Sequence, residues 1–343
     1  MAAGKNIMDK RKYIVKKELA GIIEQMKGRR ILVLGDMVAD IYINGVISRI
    51  SREAPVLVLE QADERIVAGG AANVVNNVAT LGGQAFAVGV LGLDSAAKGL
   101  KCVLEKSGAN TDGLLCDEKR PTIAKTRIIA GGRATVSQQI VRIDKESKES
   151  LPPAFAAELA GYIRRLLPQV DGVVLSDYGS GTITESIKDE LLAACRQHGI
   201  PSIVDSRYDI RRFSGIDYVK QNDAELAAAV GRPLTSEADL CDAGQELLQV
   251  MDAQGVLVTR GEKGMTLFEK SGAIHNIPVS DRSEVYDVSG AGDTCVATVI
   301  LALAAGVEPV YAAELSNIAS GIAVRKLGTA TVSGDELRAA VRR

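Results

Sequence analysis

The sequence predicts an α/β protein with a mainly parallel sheet flanked by helices and a small β-sheet lid. Three observations support this prediction. Short continuous apolar runs, the first closed by Gly, are typical of buried parallel strands. Helical patterns alternate with these runs along the chain, which indicates parallel strands joined by crossover helices. Two further segments break the alternation and show β-type patterning with turn residues.

Residues 1–28 form a basic amphipathic extension that precedes the body of the protein at 29–343. Apolar residues recur in it at near-helical spacing, at Ile14, Val15, Leu19, Ile22, Ile23 and Met26. Glu18 and Glu24 interrupt the positive face, so packing on the body or on a second subunit is favoured over membrane association. Gly28 ends the segment.

The body begins with Ile31–Asp36, an apolar run that predicts the first buried strand. Comparable runs follow at 85–90, 172–175, 203–204 and 256–258. Helical patterns lie between them at 71–81, 155–167, 186–198 and 240–251. Ligands of such sheets bind beyond the carboxyl ends of the strands. The expected ligand rim therefore carries the polar residues that follow the strands, Asp36, Asp177, Asp205 and Thr259.

The two β-type segments are about 41–60 and 123–143, the second with Gly131 and Gly132 at a turn. Paired as a small sheet over the rim, they would form a lid that excludes water. The alternative is a surface hairpin without a closing motion. Exposed strand edges on such a lid also predict pairing between two copies, which gives a homodimer.

Composition excludes several classes of function. A formal net charge of −2 and an aromatic content of 3% without Trp do not suit nucleic-acid binding. Five scattered cysteines without a CxxC pair indicate reduced thiols and a cytoplasmic protein. The two histidines, His198 and His275, are expected at the surface, which argues against His-dependent triads and His-rich metal centres. No apolar run without charges is long enough to span a membrane.

The most informative stretch is Gly290-Ala291-Gly292-Asp293, which precedes the apolar run 294–305. The run predicts a helix buried on all sides, and the small residues let the amides before it face one point. Unpaired amides and the positive end of the helix dipole both favour an anion. A carboxylate beside that anion site indicates phosphoryl transfer to a hydroxyl, with Asp293 as the base. The alternative interpretation is an N-capping Asp in a Gly-rich turn.

Three weaker motifs accompany this stretch. Gly69-Gly70 opens a helix in which Asn73 offers a donor and an acceptor to a hydroxylated ligand. Asn222 and Glu225 stand one helical turn apart, which suits a hydrated Mg²⁺ or, alternatively, a capping box. The turn 259–264 follows a strand and has the glycines of a phosphate-binding loop.

In this order the four motifs resemble the PfkB/ribokinase family of sugar kinases, over about residues 29–337. The resemblance is sharpest to the heptose 7-phosphate kinases of lipopolysaccharide-core synthesis, and the most distinctive stretch is Ser48–Val56. Further similar stretches are 35–40, 69–73, 176–178, 284–294 and 326–329. The resemblance implies a ribokinase-like fold and a cytoplasmic enzyme that uses ATP with Mg²⁺. The implied reaction phosphorylates D-glycero-D-manno-heptose 7-phosphate to the 1,7-bisphosphate.

The resemblance also implies roles for single residues. Asp293 would be the base, and the amides of Gly290, Ala291, Gly292 and Asp293 would hold the γ-phosphate. The nucleotide pocket would contain Asn222, Glu225, Thr259, Gly261 and Asn317, with Mg²⁺ held through water by Asn222 and Glu225. Asp287 and Ser289 match a monovalent-cation site that suits K⁺. Sugar-binding candidates are Asp40, Gly69, Gly70 and Asn73, and then Asp36, Arg127 and Arg142.

Departures from the heptose kinases lie on the substrate side. Those enzymes usually carry Lys where this chain has Ser180 and again where it has Arg207, and Thr where it has Lys220. A lost Lys removes a contact to the substrate phosphate, and Arg207 and Lys220 are the candidates to replace it, although Arg and Lys differ in geometry. The bifunctional relatives continue into a nucleotidyltransferase domain with an HxGH signature. This chain ends at Arg343 and has only two histidines, so a stand-alone kinase is expected here.

Two other functions remain open. The acceptor is alternatively another phosphosugar, a ketohexose or a nucleoside. A protein of another class, a sugar or nucleotide sensor without turnover, would keep the same fold. Intact Asp293, Asn222 and Glu225 argue against the sensor.

Overall fold

The computed structural model describes residues 18–131, 136–280 and 285–342. Its strands are β1 (Arg30–Gly35), β2 (Met37–Ile50), β3 (Leu57–Gly70), β4 (Gln84–Gly92), β5 (Asn110–Asp117), β6 (Ile123–Gly131), β7 (Gln138–Lys145), β8 (Gly172–Asp177), β9 (Ser202–Ser206), β10 (Tyr218–Asn222), β11 (Gly255–Thr259), β12 (Met265–Glu269) and β13 (Ile274–Ile277). Its helices are α1 (18–26), α2 (Ala71–Thr80), α3 (Ser95–Lys106), α4 (Pro153–Leu166), α5 (Glu185–His198), α6 (Asp223–Val230), α7 (Glu237–Met251), α8 (Ala291–Ala304), α9 (Pro309–Ala323) and α10 (Gly334–Arg342).

Within the described residues, nine strands form the larger sheet in the order β13-β12-β11-β10-β9-β8-β1-β4-β5. All pairings from β11 to β5 are parallel, and only β12 and β13 join the edge in antiparallel orientation. The predicted mainly parallel sheet is therefore confirmed. The carboxyl ends of β8, β9, β10 and β11 come together at one rim, as expected for parallel strands.

A second, smaller sheet has the order β3-β2-β6-β7. It contains the segments predicted from their β-type patterning, but it is larger than predicted because β2 starts at Met37 and β3 runs back to Gly70. The antiparallel register pairs Met37 with Gly70 and Val38 with Gly69. The long hairpin thus leaves the main sheet after β1 and returns to the same rim where α2 begins. Gly132, expected at a turn, lies outside the described residues.

Helix α8 is the central buried helix, and it packs against α2 and α9. Its residues from Asp293 to Leu303 are buried, which confirms the prediction of a helix buried on all sides. Cys295, Val296, Ile300 and Leu301 are fully inaccessible. Burial of each large aliphatic side chain contributes roughly 1.5–3 kcal/mol, so the apolar run holds the N-terminus of α8 firmly at the rim.

Helix α1 packs on the body. Its apolar residues Leu19, Ile22, Ile23 and Met26 are buried in the same core cluster as α2 and α8. Glu24 also pairs with Arg338 of α10 at 2.7 Å. The remaining apolar positions of the amphipathic pattern, Ile14 and Val15, lie outside the described residues. None of the helices that the structure describes has the length and apolar composition needed to cross a bilayer.

Candidate active site

The N-terminus of α8 has the features expected of an anion site. Gly290 precedes the helix with φ +80°, and a Cβ there would lie 2.6 Å from Nδ2 of Asn73, so the turn requires glycine. Gly290 supplies no side-chain cap. Among the described residues, no acceptor takes a hydrogen bond from the amides of Gly292 and Asp293. These amides and the helix dipole are therefore available to an anion.

Asp293 lies at this point with a relative exposure of 5%. Its Oδ2 accepts a hydrogen bond from Nδ2 of Asn73 at 2.7 Å, and its Oδ1 accepts one from the hydroxyl of Tyr178 at 3.0 Å. Burial raises the pKa of Asp293 to about 6, although the two hydrogen bonds act in the opposite direction. The carboxylate is thus an ionised base at neutral pH and a stronger base than an ordinary Asp.

A buried polar network fixes Asn73 relative to α8. Asn77 donates from Nδ2 to the backbone carbonyl of Asn73 at 2.9 Å, one turn away in α2. The hydroxyl of Thr294 donates to Oδ1 of Asn77 at 3.0 Å. Because all three side chains are fully buried, each polar group depends on its partner. The network therefore sets the position of the group that holds Asp293.

Lys220 lies on the opposite side of the glycine turn. Its Nζ is 2.9 Å from the place of a Cβ on Gly292 and 3.0 Å from Oδ2 of Asp205. Burial alone would lower the pKa of Lys220, but the charges of Asp205 and Glu225 outweigh it, so the pKa is raised. Oδ1 of Asp205 is buried without a hydrogen-bond partner among the described residues. Lys220 therefore provides a fixed positive charge beside the amides of the turn.

Asp36 holds the loop that follows β8. Its carboxylate is fully buried and accepts hydrogen bonds from the amides of Tyr178 at 2.8 Å, Ser180 at 3.1 Å and Thr182 at 3.4 Å. These contacts place Asp36 beneath the loop. Both of its oxygens accept from this loop, so Asp36 positions Tyr178, and its expected contact with the sugar stays a prediction.

The other sugar-side candidates lie where the smaller sheet meets the rim. Oδ1 of Asp40, in β2, accepts a hydrogen bond from Nη1 of Arg127 at 2.6 Å. Gly69 lies directly against the Asp40 carboxylate, and Gly70, with φ +55°, turns the chain into α2. Arg142 pairs with Asp144 at 2.5 Å and faces Arg127 across β6 and β7. The structure thus brings Asp40, Gly69, Gly70 and Asn73 together.

Asn222 and Glu225 form a capping box at the start of α6. Oδ1 of Asn222 accepts from the amide of Glu225 at 2.8 Å, and Oε2 of Glu225 accepts from the amide of Asn222 at 2.8 Å. The capping box, which was the alternative interpretation of this motif, is therefore present. Both side chains still lie at the carboxyl end of β10, and Glu225 is 3.9 Å from Lys220. Capping uses only one oxygen of Glu225, so Oε1 remains available to a ligand.

Three nucleotide-side candidates line the rim beyond Asn222. Thr259 ends β11 directly opposite Asn222 in the register. Gly261 faces open space, since a Cβ there would meet no atom within 4 Å. Asn317, in α9, donates from Nδ2 to the carbonyl of Pro278 at 2.7 Å. Pro278 also lies against Gly264, so Asn317 and the 259–264 turn contact the same residue.

Asp287 ties the segment before α8 to the segment after α9. Its Oδ1 accepts from the amide of Ser289 at 2.9 Å, and its Oδ2 accepts from the amide of Gly328 at 3.0 Å. Burial would raise the pKa of Asp287, but these hydrogen bonds outweigh it and the pKa is lowered. The hydroxyl of Thr329, close to Gly290, is buried without a partner among the described residues. These oxygens are the groups available to a cation at Asp287 and Ser289.

Sequence reasoning assigned no role to two residues of the site. Tyr178 contacts the carboxylate of Asp293, and Lys125 of β6 lies over the ring of Tyr178. The strand-end position of Asp177 was a signal for the Tyr178 loop. Lys125 gave no signal, because only the pairing of β6 with β2 brings it to the rim.

Known proteins of similar sequence match most of the chain. Residues 29–335 match the profile of a family described as "pfkB family carbohydrate kinase". The chain is 39% identical over 320 residues to "Bifunctional protein HldE" of Mesorhizobium japonicum, covering 93% of this chain and 63% of that protein. It is 40% identical over 311 residues to the protein of the same name in Desulfatibacillum aliphaticivorans, covering 90% and 62%. The chain thus spans less than two thirds of the length of these relatives.

Two solved structures are similar in fold. Arabidopsis thaliana ribokinase complexed with ribose and ATP superposes with a TM-score of 0.71 at 20% identity, over 92% of this chain and 99% of that one. Phosphofructokinase-2 from Escherichia coli in complex with potassium superposes with a TM-score of 0.71 at 22% identity, over 92% and 100%. The expected ribokinase-like fold is confirmed.

Proposed function

Because the chain belongs to the pfkB family of carbohydrate kinases, we propose that it phosphorylates the anomeric hydroxyl of D-glycero-D-manno-heptose 7-phosphate. The products are the 1,7-bisphosphate and ADP, and the bisphosphate is a precursor of ADP-heptose for lipopolysaccharide cores. The membership itself makes the chain a phosphotransferase that acts on a sugar hydroxyl. The observation that carries the proposal is the buried carboxylate of Asp293 beside the free amides of α8.

In the proposed reaction, Asp293 accepts the proton of the sugar hydroxyl while the oxygen attacks the γ-phosphorus of ATP. The bond to the β-phosphate oxygen breaks, and ADP leaves. Asn73 and Tyr178 hold the carboxylate in position through its two oxygens. The amides of Gly292 and Asp293 stabilise the charge that develops on the transferred group, since they are oriented before the reaction begins.

Lys220 supplies a positive charge on the other side of the transferred group. Its Nζ lies next to Gly292 and is held by Asp205. A buried ammonium at this place needs no reorganisation when charge develops on the phosphoryl oxygens. We assign to Lys220 the stabilisation of the transferring phosphoryl group, and to Asp205 the positioning of Lys220.

The residues on the nucleotide side suit a divalent cation with ATP, and we propose that it is Mg²⁺. Glu225 offers the oxygen that its capping box leaves unused, and Oδ1 of Asp205 is a second unused acceptor. Oxygen donors with bridging water are the ligands that Mg²⁺ prefers. Asn222 and Glu225 would hold the hydrated ion, which when bound neutralises charge on the β- and γ-phosphates.

Asp287, Ser289 and the unpartnered hydroxyl of Thr329 suit a monovalent cation, and we propose K⁺. The group lies directly before Gly290, so a cation there would fix the turn that leads into α8. Thr259, Gly261 and Asn317 are proposed to bind the nucleotide between the 259–264 turn and α9.

For the sugar, we propose that Asp40, Gly69, Gly70 and Asn73 contact hydroxyl groups, with Arg127 holding Asp40. Arg142 lies opposite Arg127 in the register and pairs with Asp144, so it would act on the sugar from a greater distance. The choice of heptose rests on the stretch Ser48–Val56, similar to the heptose kinases, and on identities near 40% to proteins named HldE. We also propose that the smaller sheet closes over the bound sugar.

The test is ADP release from ATP with a panel of acceptors: the heptose 7-phosphate, hexose phosphates, free ketohexoses and nucleosides. We expect the highest kcat/KM with the heptose 7-phosphate. A higher kcat/KM with any other acceptor would replace the proposed substrate. Ligand binding without ADP release over the whole panel would instead identify a sensor.

A further inference from the structure

Two cations lie over the ring of Tyr178, and we call them the cation pair. The guanidinium carbon of Arg207 is 4.4 Å from the ring centroid, and Nζ of Lys125 is 5.4 Å from it. Nη2 of Arg207 also lies 3.4 Å from the hydroxyl of Tyr178. Lys125 comes from β6 of the smaller sheet and Arg207 from the loop after β9, so the pair bridges the two sheets.

Carboxylates attract the cation pair from a distance, Asp40 acting on Lys125 and Asp293 on Arg207. The neighbouring cations are neutralised, since Arg127 pairs with Asp40 and Arg142 pairs with Asp144. Neither Lys125 nor Arg207 forms an ion pair with any carboxylate of the part of the chain that the structure describes. Burial lowers the pKa of Lys125, and the charge of Arg207 lowers it further, so the two cations repel each other. An anion bound by both groups would remove this repulsion.

Arg207 and Lys220 are the two candidates to replace the Lys that contacts the substrate phosphate in the heptose kinases, and their surroundings differ. Lys220 is 5% exposed and is already paired with Asp205 beside Gly292, so it belongs to the nucleotide end. Ser180 is 1% exposed, and its amide donates to Asp36 within the loop after β8. Arg207, in contrast, is exposed and lies over the ring of Tyr178, which contacts Asp293. Lys125 joins it there.

We propose that Lys125 and Arg207 bind a phosphate group carried by the acceptor sugar itself, so that this kinase acts on phosphosugars in preference to free sugars. This inference rests on the proposed function and names the residues that select its substrate class. Tyr178 connects the two ends of the substrate, because its hydroxyl contacts Asp293 while its ring lies beneath the cation pair. A sugar phosphate held there therefore presents its distal hydroxyl, and not its phosphate, to the base.

The inference is tested with Lys125→Met and Arg207→Met, assayed with heptose 7-phosphate and with the unphosphorylated heptose. Each variant should raise KM for the phosphosugar roughly ten- to a hundredfold, the effect of losing one charge-assisted hydrogen bond. KM for the free heptose and for ATP should stay within about twofold. Binding of the phosphosugar without ATP, measured calorimetrically, should weaken by the same factor.

Arg165→Met is the matched control, since Arg165 also lies over a tyrosine ring, that of Tyr162 in α4, at 6.0 Å. It should leave both acceptors unaffected. A wild-type enzyme that prefers the phosphosugar while both cation-pair variants keep this preference would overturn the assignment of Lys125 and Arg207 alone. A wild-type enzyme that prefers the free sugar would overturn the proposed function and this inference together.

Discussion

At the scale of single residues, the proposed chemistry depends on how the carboxylate of Asp293 is held. The residue combines burial, which raises its pKa to about 6, with two hydrogen bonds that favour its ionised form. The balance keeps the group ionised above pH 6. It also makes the pKa sensitive to each donor, and Tyr178 is the donor that can be removed with the smallest change in shape.

Replacement of Tyr178 by Phe removes the hydroxyl that donates to Oδ1 of Asp293. The ionised carboxylate loses a stabilising hydrogen bond, so its pKa rises and activity is lost at a higher pH. We expect the acidic limb of kcat/KM, near pH 6 in the wild type, to move up by about one pH unit, with a smaller change at pH 8. The measurement is the pH profile of kcat/KM.

Tyr162→Phe is the control for this variant, because the hydroxyl of Tyr162 donates to Asn110 at 3.3 Å, outside the site. Its pH profile should match the wild type. If Tyr178→Phe left the acidic limb in place, or moved it to lower pH, Tyr178 would not help to set the pKa of Asp293.

How far single residues could be predicted depended on how local their signals are. Asp293 was predicted because the glycines and the apolar run adjoin it in sequence. Lys125 was not, because its place follows from the pairing of β6 with β2 across more than eighty residues of chain. The resemblance to the sugar kinases placed Asp36 on the sugar side, but nothing in the sequence indicated that the loop after β8 donates hydrogen bonds to its carboxylate. A residue's position at a strand end does not reveal which neighbour will use its oxygens.

At the scale of elements, the start of α6 combines two tasks. The capping box of Asn222 and Glu225 satisfies two backbone amides, and we propose that the same side chains hold hydrated Mg²⁺. The sequence motif was compatible with either task; the structure shows the cap, which uses only Oε2 of Glu225 and leaves Oε1 for a further ligand. A substitution that keeps the cap and removes the charge separates them.

Replacement of Glu225 by Gln retains an acceptor at the third helical position, which a capping box accepts. The charge that attracts the cation is lost. We therefore expect a nearly unchanged melting temperature, together with a roughly ten- to hundredfold higher Mg²⁺ concentration for half-maximal activity. Titration of activity with Mg²⁺ at saturating ATP and a thermal melt of the same samples measure the two effects.

The control is Asp239→Asn in α7, whose capping box with Ser236 lies outside the site. This variant should melt at a lower temperature, because hydrogen bonds from Thr235 and Ser236 hold the pKa of Asp239 at about 2. Its Mg²⁺ requirement should equal that of the wild type. An unchanged Mg²⁺ requirement in Glu225→Gln would leave Glu225 as a cap alone.

Elements were predictable where hydrophobic periodicity was strong. The predicted helices 71–81 and 186–198 correspond to α2 and α5 within one residue at each end. Strand β10 was missed, since its apolar part is only Tyr218-Val219 and the buried polar residues Lys220 and Gln221 complete it. Tertiary contacts with Asp205 make those polar residues tolerable in a buried strand, and no local pattern indicates them.

At the scale of the whole molecule, the two sheets meet at one rim, and the smaller sheet presents apolar side chains to solvent. The exposed residues are Val46 at 40%, Ile50 at 67%, Leu57 at 44%, Val141 at 44% and Ile143 at 54%. Exposed apolar side chains in this number favour an interaction surface on the smaller sheet. We propose that two copies pair through their smaller sheets, as the strand edges of the expected lid suggested.

Replacement of Ile50 by Asp introduces a charge into this surface. If two copies pair there, the variant should be monomeric at concentrations where light scattering shows the wild type to be a dimer, because an unpaired charge is costly to bury. Val250→Asp, the same kind of change at an exposed apolar residue of α7, should remain dimeric. A monomeric wild type at tens of micromolar, or a dimeric Ile50→Asp, would exclude pairing through the smaller sheet.

The larger sheet was more predictable from the sequence than the extent of the smaller sheet. Alternating apolar runs and helices sufficed for the parallel sheet, because both signals are local. The extent of the smaller sheet was underestimated, since Met37 and Gly70 pair with each other across the full length of the hairpin. A pairing over such a distance leaves no trace in local sequence patterns.

The proposed reaction depends most on Asp293, which would accept the proton of the sugar hydroxyl at the N-terminus of α8. Replacement of Asp293 by Asn keeps the size of the side chain and removes the base. The account predicts a fall in kcat of roughly a hundredfold or more at pH 8. Calorimetric binding of ATP and a wild-type melting profile should be retained. Turnover within a few-fold of the wild type in a folded, ATP-binding Asp293→Asn enzyme would contradict the account.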